Sequence, residues 1–406
     1  MSAATVQSYI HHEINRARGL TDALFRQVLP EAMYDRPIPE RHRLIFYLGH
    51  LDAFDWNQVG RGALELGPVS EELDRLFAFG IDPPPGQLPK DAPGDWPTLE
   101  QTVKYGREVR RRLDPEIDRA PDEALHMALE HRLMHAETLT YLLHNLPYAR
   151  RRTRQAAPAG SAESPLMKMI EIPEGFAVLG QKRGGDFGWD NEFEQHTRWL
   201  PAFRISRHKI TNGQFLEFVN AGGAPPHYWL NRAGRWFYRG MNAELPLPVD
   251  LPVYVSHAQA VSFAQWLGKS LPTEEQFHRA AFGTPEGVER KYPWGDERPR
   301  ASHGNFDFLY GDLIPVTATP AGDSAFGISQ LFGNGWEWTS TVFGPFSGFR
   351  SSPSYSGYSA DFFDGDHYVL KGGSCVTDAR LLRPSFRNWF RDHYPYAYTT
   401  FRIVEN

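Results

Sequence analysis

The apolar residues of this chain change their spacing between residues 147 and 165, and no other feature constrains the fold as much. Upstream, the segments 5–28, about 38–66, 98–118 and 121–146 repeat apolar positions every three or four residues. In the last of these, Leu125, Leu129 and Leu133, then Leu139 and Leu142, line one stripe. Ala120-Pro121-Asp122-Glu123 places a proline and two acids at its start, where a helix tolerates the first and favours the others. The run IDPPPGQLPKDAPGDWP (81–97) can only be loop. Four long helices joined in this way predict a helical bundle. Downstream, short β-type runs (FAVLG, AFRISRH, YVLKGGS, FRIV) alternate with turn residues, and only 256–281 has a helix-length pattern. Such pieces predict an irregular α+β domain held by buried aromatics. Between the halves, PYARRRTRQAAPAGSAESP reads as an exposed linker with solvated arginines. The expected organisation is a bundle over 1–147, a linker over 148–165 and a second domain over 166–406.

With 406 residues the chain exceeds one ordinary core. A net charge of −6 without any Lys/Arg-rich block argues against nucleic acid as a partner. A single cysteine, Cys375, forbids an intramolecular disulfide and suits a reducing, cytoplasmic location. The opening run MSAATVQSYIHHEINRARGL lacks the apolar core of a signal peptide. No stretch approaches the 18 or so apolar residues that span a bilayer, so no membrane association is expected.

The strongest chemical signal is EHRLMHAET, which contains His131, His135 and Glu137 in the pattern HxxxHxE. A spacing of four puts both imidazoles on one helical face, one turn apart. Two imidazoles aimed at one point make two-thirds of a three-ligand metal site with open positions. The chain has 16 histidines, so one such pair can arise by chance and a third ligand is needed. His42, His126 and His144 also lie on predicted bundle helices but lack the motif. Three histidines with vacant positions would suit a hydrolytic zinc as well as an iron(II) that binds O2.

Several runs in the second half carry a specific resemblance. IPEGFAVLG, ISRHKITNGQFLEFVN, AQWLGKSLPTEEQFHRAA, YPWGDE, FGISQLFGNGWEWTS, LKGGS and TFRIV follow the order of the formylglycine-generating-enzyme (sulfatase-modifying factor) domain, a variant of the C-type lectin fold. The first half resembles the DinB-like four-helix bundle. In this order the two domains resemble the ergothioneine-pathway sulfoxide synthases and their relatives, the selenoneine synthases. That resemblance implies an O2-dependent, non-heme iron(II) enzyme that joins a chalcogen to C2 of the imidazole of hercynine, the trimethyl betaine of histidine. It implies His50, in FYLGHLDAFDW, as the third ligand beside His131 and His135, with Glu137 orienting a ligand rather than binding metal. It carries Asn388 and Trp389 over as hercynine contacts, Tyr355 as a catalytic proton donor and Tyr358 as an aromatic wall for the trimethylammonium.

The departures bear on the second substrate. Formylglycine-generating enzymes depend on paired cysteines, which a chain with Cys375 alone cannot supply. Members that use γ-glutamylcysteine carry arginines where this chain has residues 83–97, in which Lys90 is the one cation. An arginine fork matches a carboxylate as a lysine does not. Phe390, in FRNWF, replaces an acid that faces the thiol substrate in the family. Phe54 and Met134 stand where some members have glutamines. A selenosugar donor needs no carboxylate clamp, and the Tyr/Ser-rich stretch 344–359 offers hydroxyl and aromatic contacts. Selenoneine synthesis is therefore the leading expectation. Sulfoxide synthesis from cysteine or γ-glutamylcysteine is the alternative. A non-enzymatic lectin-like binding protein and a DinB-type zinc or nickel thiol transferase are further alternatives. Trp336, Trp338, Gly372 and Gly373 read as determinants of the fold.

Overall fold

A computed structural model describes residues 3–80, 87–152 and 163–405. The chain divides into two compact units, Met1–Gln155 and Ala156–Asn406.

The first unit is built on α1 (Ala3–Phe25), α2 (Leu44–Asp55), α3 (Glu71–Phe79), α4 (Leu99–Leu113) and α5 (Asp122–Asn145). The four long helices form the bundle. The long segment expected over 38–66 starts regular only at Leu44 and passes after Asp55 into a wider π turn, Trp56–Ala63. The short α3 is not among the expected segments, because nine residues show too little of a period. Its start was nonetheless legible in Ser70, whose hydroxyl accepts from Leu73 N and which precedes three acids.

Charge fixes the register of the bundle helices. Arg132 is buried on α5 and donates to Asp52 Oδ1 (2.8 Å), Asp55 Oδ2 (2.7 Å) and the Leu51 carbonyl (2.9 Å) on α2. Arg110 on α4 reaches the same Asp52 at 3.1 Å. A buried arginine with unmatched donors costs several kcal/mol, roughly 3–5, so α5 has one favourable position along α2. Arg150 pairs with Asp35 at 2.7 Å and Arg151 is buried. These two arginines are therefore tied down on the bundle rather than solvated. Residues 153–162 of the expected linker lie outside the described residues.

The second unit contains β1 (Met169–Ile172), β2 (Gly175–Leu179), β3 (His196–Leu200), β4 (Phe203–Ser206), α6 (Asn212–Asn220), β5 (Trp229–Arg232), β6 (Arg235–Arg239) and β7 (Glu244–Pro246). It continues with α7 (His257–Trp266), α8 (Glu274–Phe282), β8 (Trp336–Val342), β9 (His367–Lys371), β10 (Asn388–Arg391), β11 (Thr399–Phe401) and β12 (Val404–Glu405). The strands form four small sheets, ordered β1-β4-β12, β10-β9-β8-β11, β2-β3 and β5-β6-β7. All pairings are antiparallel except β8 with β11.

The helix-length pattern of 256–281 is two helices. Gly268 at φ +66° ends the first, and the Thr273–Gln276 capping box starts the second after Pro272. Ser256–Gln259 and Thr211–Gln214 open α7 and α6 in the same way. The core packs α8 (Phe277, Ala280, Phe282) against Ile172, Phe203, Ile205, Leu331 and Phe332. Trp338 is fully buried and its indole donates to the Val255 carbonyl. Gly372 sits at φ +94°, and a Cβ there would lie 2.3 Å from the Leu331 carbonyl oxygen. No helix among the described residues is long and apolar enough to cross a membrane.

Candidate metal centre and aromatic site

In the first unit, His50 from α2 converges with His131 and His135 from α5. One ligand atom from each lies within 4.8 Å of the others, and no other group of this kind occurs among the described residues. Ring centroids are 4.4 Å apart for His131–His135, 4.9 Å for His50–His135 and 5.1 Å for His50–His131.

The walls are aromatic. Phe54 stacks on His131 at 3.4 Å and 7°, Phe46 stacks on His50 at 4.7 Å, and Tyr47 lies 5.8 Å from His135. Residues 46, 47, 50 and 54 fall on one face of α2, whereas Asp52 and Asp55 turn toward Arg132. One helix thus presents the ligand on one side and its anchor on the other.

His50 Nδ1 lies 2.7 Å from the carbonyl of Phe77. A carbonyl only accepts, so Nδ1 carries the proton and the Nε2 lone pair is left for a metal. Phe77 is in the last turn of α3, where helix carbonyls lack intrahelical partners. Its ring packs flat on α2 at Gly49, where a Cβ would stand 2.4 Å from the ring.

Burial pushes the His50 imidazole down to about 4 and holds those of His131 and His135 well below their ordinary value. The mutual repulsion of the three rings and of Arg132 acts in the same direction. All three are therefore neutral at pH 7, the state a ligand requires. Among the described residues nothing bonds to His135 Nδ1, so one more buried polar atom faces no protein partner. Three converging neutral imidazoles in an aromatic box fit a first-row divalent metal with vacant positions. Glu137 is buried one half-turn beyond His135 on α5.

In the second unit the structure gathers Tyr355, Tyr358 and Trp389. Tyr358 lies 5.8 Å from Tyr355 and 5.4 Å from Trp389, nearly perpendicular to the indole. Phe343 covers one face of Trp389 (4.2 Å, 8°), and Phe362 lies 5.6 Å away. Burial raises the Tyr355 phenol, which therefore stays protonated at neutral pH.

Strand alternation separates the remaining candidates. Trp389 points to one face of β10, while Asn388 and Phe390 point to the other, where Phe390 stacks on Tyr394 at 4.9 Å and 3°. The structure does not bring Phe390 to the Tyr358–Trp389 cluster. Asn388 Oδ1 accepts from the Trp389 amide at 2.8 Å.

Two contributors were missed in the sequence. Trp189 stacks on Tyr358 at 4.0 Å and 19°. Asp190 accepts from Ser359 Oγ (2.5 Å) and Ser352 N (3.3 Å). Their signal in the sequence is the run GWDNEF, an aromatic followed by closely spaced acids.

A sulfatase-modifying factor enzyme 1-like domain model matches residues 154–406, and a DinB superfamily model matches residues 13–144. The hercynine oxygenase of Mycolicibacterium thermoresistibile is 32% identical over 428 aligned residues, covering 95% of this chain and 92% of that protein. The chain belongs to the hercynine oxygenase family. It is an enzyme, an oxidoreductase. The hercynine oxygenase of Mycobacterium tuberculosis is 39% identical over 53% of this chain and 54% of its own length. Ergothioneine biosynthesis protein 1 of Neurospora crassa is 27% identical, covering 95% of this chain and 56% of its own length. The hercynine oxygenase of M. thermoresistibile thus aligns across both units described above.

Proposed function

We propose that this chain is a non-heme iron(II) enzyme that uses O2 to join a chalcogen to imidazole C2 of hercynine, with a selenosugar as the donor. The observation that carries the reading is the convergence of His50, His131 and His135 as neutral imidazoles, one of them held in its metal-binding tautomer by the Phe77 carbonyl. His50, His131 and His135 would hold the iron(II), which would supply the redox chemistry that O2 activation requires.

The chain's own residues do the rest. Phe46 and Phe54 cover the histidine rings and keep bulk water from them. Trp389 and Tyr358 offer π faces to the trimethylammonium, which has no hydrogen to donate. Asn388 lies on the opposite face of β10, where its Oδ1 accepts from the Trp389 amide and braces the strand that carries the indole. Tyr355 holds a phenolic proton that burial keeps in place at neutral pH, the property of a proton donor.

The donor assignment rests on residues 83–97, which contain no arginine, and on Phe390 in place of an acid. Residues 83–86 of that stretch lie outside the described residues. The relatives named for ergothioneine biosynthesis favour the second reading, a thiol donor such as cysteine or γ-glutamylcysteine and a C–S bond. The deciding experiment is aerobic incubation of iron-loaded protein with hercynine and, in turn, a selenosugar, its thio analogue, cysteine and γ-glutamylcysteine, with products read by mass spectrometry. A selenium adduct formed fastest supports the first reading, a cysteine adduct the second, and no adduct with any donor refutes both. His135→Ala should lose metal loading and turnover together; full activity in that variant would reject the site.

A further inference from the structure

Residues 189–192 form one buried turn in which every residue holds a different part of the aromatic site. Trp189 is 2% exposed and backs the Tyr358 ring; Asp190 ties the two ends of the segment 352–359 that contains Tyr355 and Tyr358. Asn191 accepts from Arg387 Nη1 through its carbonyl (3.3 Å). Glu192 is fully buried, accepts from Arg383 Nε (2.8 Å) and Ser385 Oγ (2.6 Å), and closes its own turn onto the Trp189 amide (2.9 Å). Arg383, Ser385 and Arg387 form the approach to β10 and Trp389.

Two buried acids within three residues are an expensive way to close a turn, because each must be desolvated and matched. A surface turn of glycine and asparagine would do that at less cost. What the acids add is fixed placement of two segments far apart in sequence, 352–359 and 383–389, relative to one another. We infer that the Trp189–Glu192 turn is the positioning element of the substrate site, with Trp189 and Asp190 as specificity-setting residues that act through Tyr358 and Tyr355. The inference rests on the proposed hercynine reading for its kinetic consequence, but its structural content is independent of it.

Trp189 acts by fixing the tilt of Tyr358, and hence the angle between the Tyr358 and Trp389 rings. A quaternary ammonium is held only when several faces are presented at once, so tilt governs hercynine affinity rather than the chemical step. Asp190 acts on the backbone of the segment that carries Tyr355, so its loss lowers kcat through a misplaced phenol.

The test uses the full-length, metal-loaded protein with Trp189→Leu, Trp189→Phe, Asp190→Ala and Asp190→Asn. The first readout is chemical: nitration of Tyr355 and Tyr358 by tetranitromethane, mapped by peptide mass spectrometry. Trp189→Leu and Asp190→Ala should raise nitration of these two tyrosines severalfold, with metal content unchanged. Trp189→Phe keeps a stacking ring. Asp190→Asn keeps an acceptor for the Ser352 amide and a donor for the Ser359 hydroxyl, so both should stay near wild type. The second readout is kinetic: Trp189→Leu should raise KM for hercynine about fivefold to tenfold with kcat little changed, and Asp190→Ala should mainly lower kcat. Nitration unchanged in both disruptive variants overturns the inference. So does an equal rise in the conservative pair, which would mark the turn as mere packing. Altered nitration in a protein that transforms no hercynine would refute the proposed function and leave the positioning role standing.

Discussion

Gly49→Ala probes the link between packing and metal binding. The new methyl would stand 2.4 Å from Cδ1 and Cε1 of Phe77, about 1 Å inside ordinary contact. Phe77 is fully buried, so its ring cannot swing into solvent and must carry its backbone with it. Overpacking of this kind costs about 1–3 kcal/mol, and the better helix propensity of alanine returns roughly 1 kcal/mol. The expected net loss is about 0–2 kcal/mol, a fall of at most about 8 °C in the melting of the helical unit. The larger effect should be on the ion: displacing the Phe77 carbonyl from His50 Nδ1 releases the tautomer, and losses of this type cost about tenfold to a hundredfold in metal affinity. Stability is read by circular dichroism at 222 nm and affinity by competition with a chromophoric chelator. Adding Phe77→Leu makes room for the methyl and should recover much of the stability in a double-mutant cycle. Unchanged affinity in Gly49→Ala would refute the reasoning, because the carbonyl would then have no part in holding the ligand.

The metal-free protein should lose stability on acidification through these histidines. With His50 pushed down to about 4 in the fold and an unfolded value near 6.5, the unfolded chain binds the proton first as pH falls. Stability from this residue is therefore present above pH 6.5 and about 2 kcal/mol of it is gone by pH 5; His50→Gln should flatten the urea-midpoint dependence, and an identical slope would contradict the burial argument. Arg132→Met should destabilise the helical unit by about 3–5 kcal/mol by stranding Asp52 and Asp55, and a loss below about 1 kcal/mol would show that Arg18 on α1, 3.5 Å from Asp55, and Arg110 suffice as partners. Phe390→Asp should shift donor preference toward an amino-bearing thiol in the competition assay, leaving hercynine KM within about twofold because Trp389 points to the other face; a large rise in hercynine KM would reject that separation.

The sequence was most legible where period and chemistry coincided. His131 and His135 could be paired from spacing alone, because a helix enforces that geometry locally. The place of His50 beside them depends on the register of α2 on α5, which is set by Arg132, Asp52 and Asp55, and no single-segment pattern encodes that. The four capping boxes at Thr98, Thr211, Ser256 and Thr273 were written in the sequence and mark helix starts to the residue. Trp189 and Asp190 were not found because their partners, Tyr358 and Ser359, lie about 170 residues away. Asn388, Trp389 and Phe390 are consecutive in sequence, and the alternation of a strand turns Trp389 to one face and its two neighbours to the other.

That strand has a consequence for how such a protein can change. β10 is the edge of its sheet and pairs residue for residue with β9, Trp389 opposite Val369 and Phe390 opposite Tyr368. Adjacent codons therefore address opposite surfaces, and a point substitution at one leaves the other's surroundings intact. A single-residue insertion ahead of position 389 would do the reverse, sending the indole to the Tyr394 side and the phenyl to the Tyr358 side in one step. Drift in this stretch is thus free to proceed by replacement but closed to changes in length.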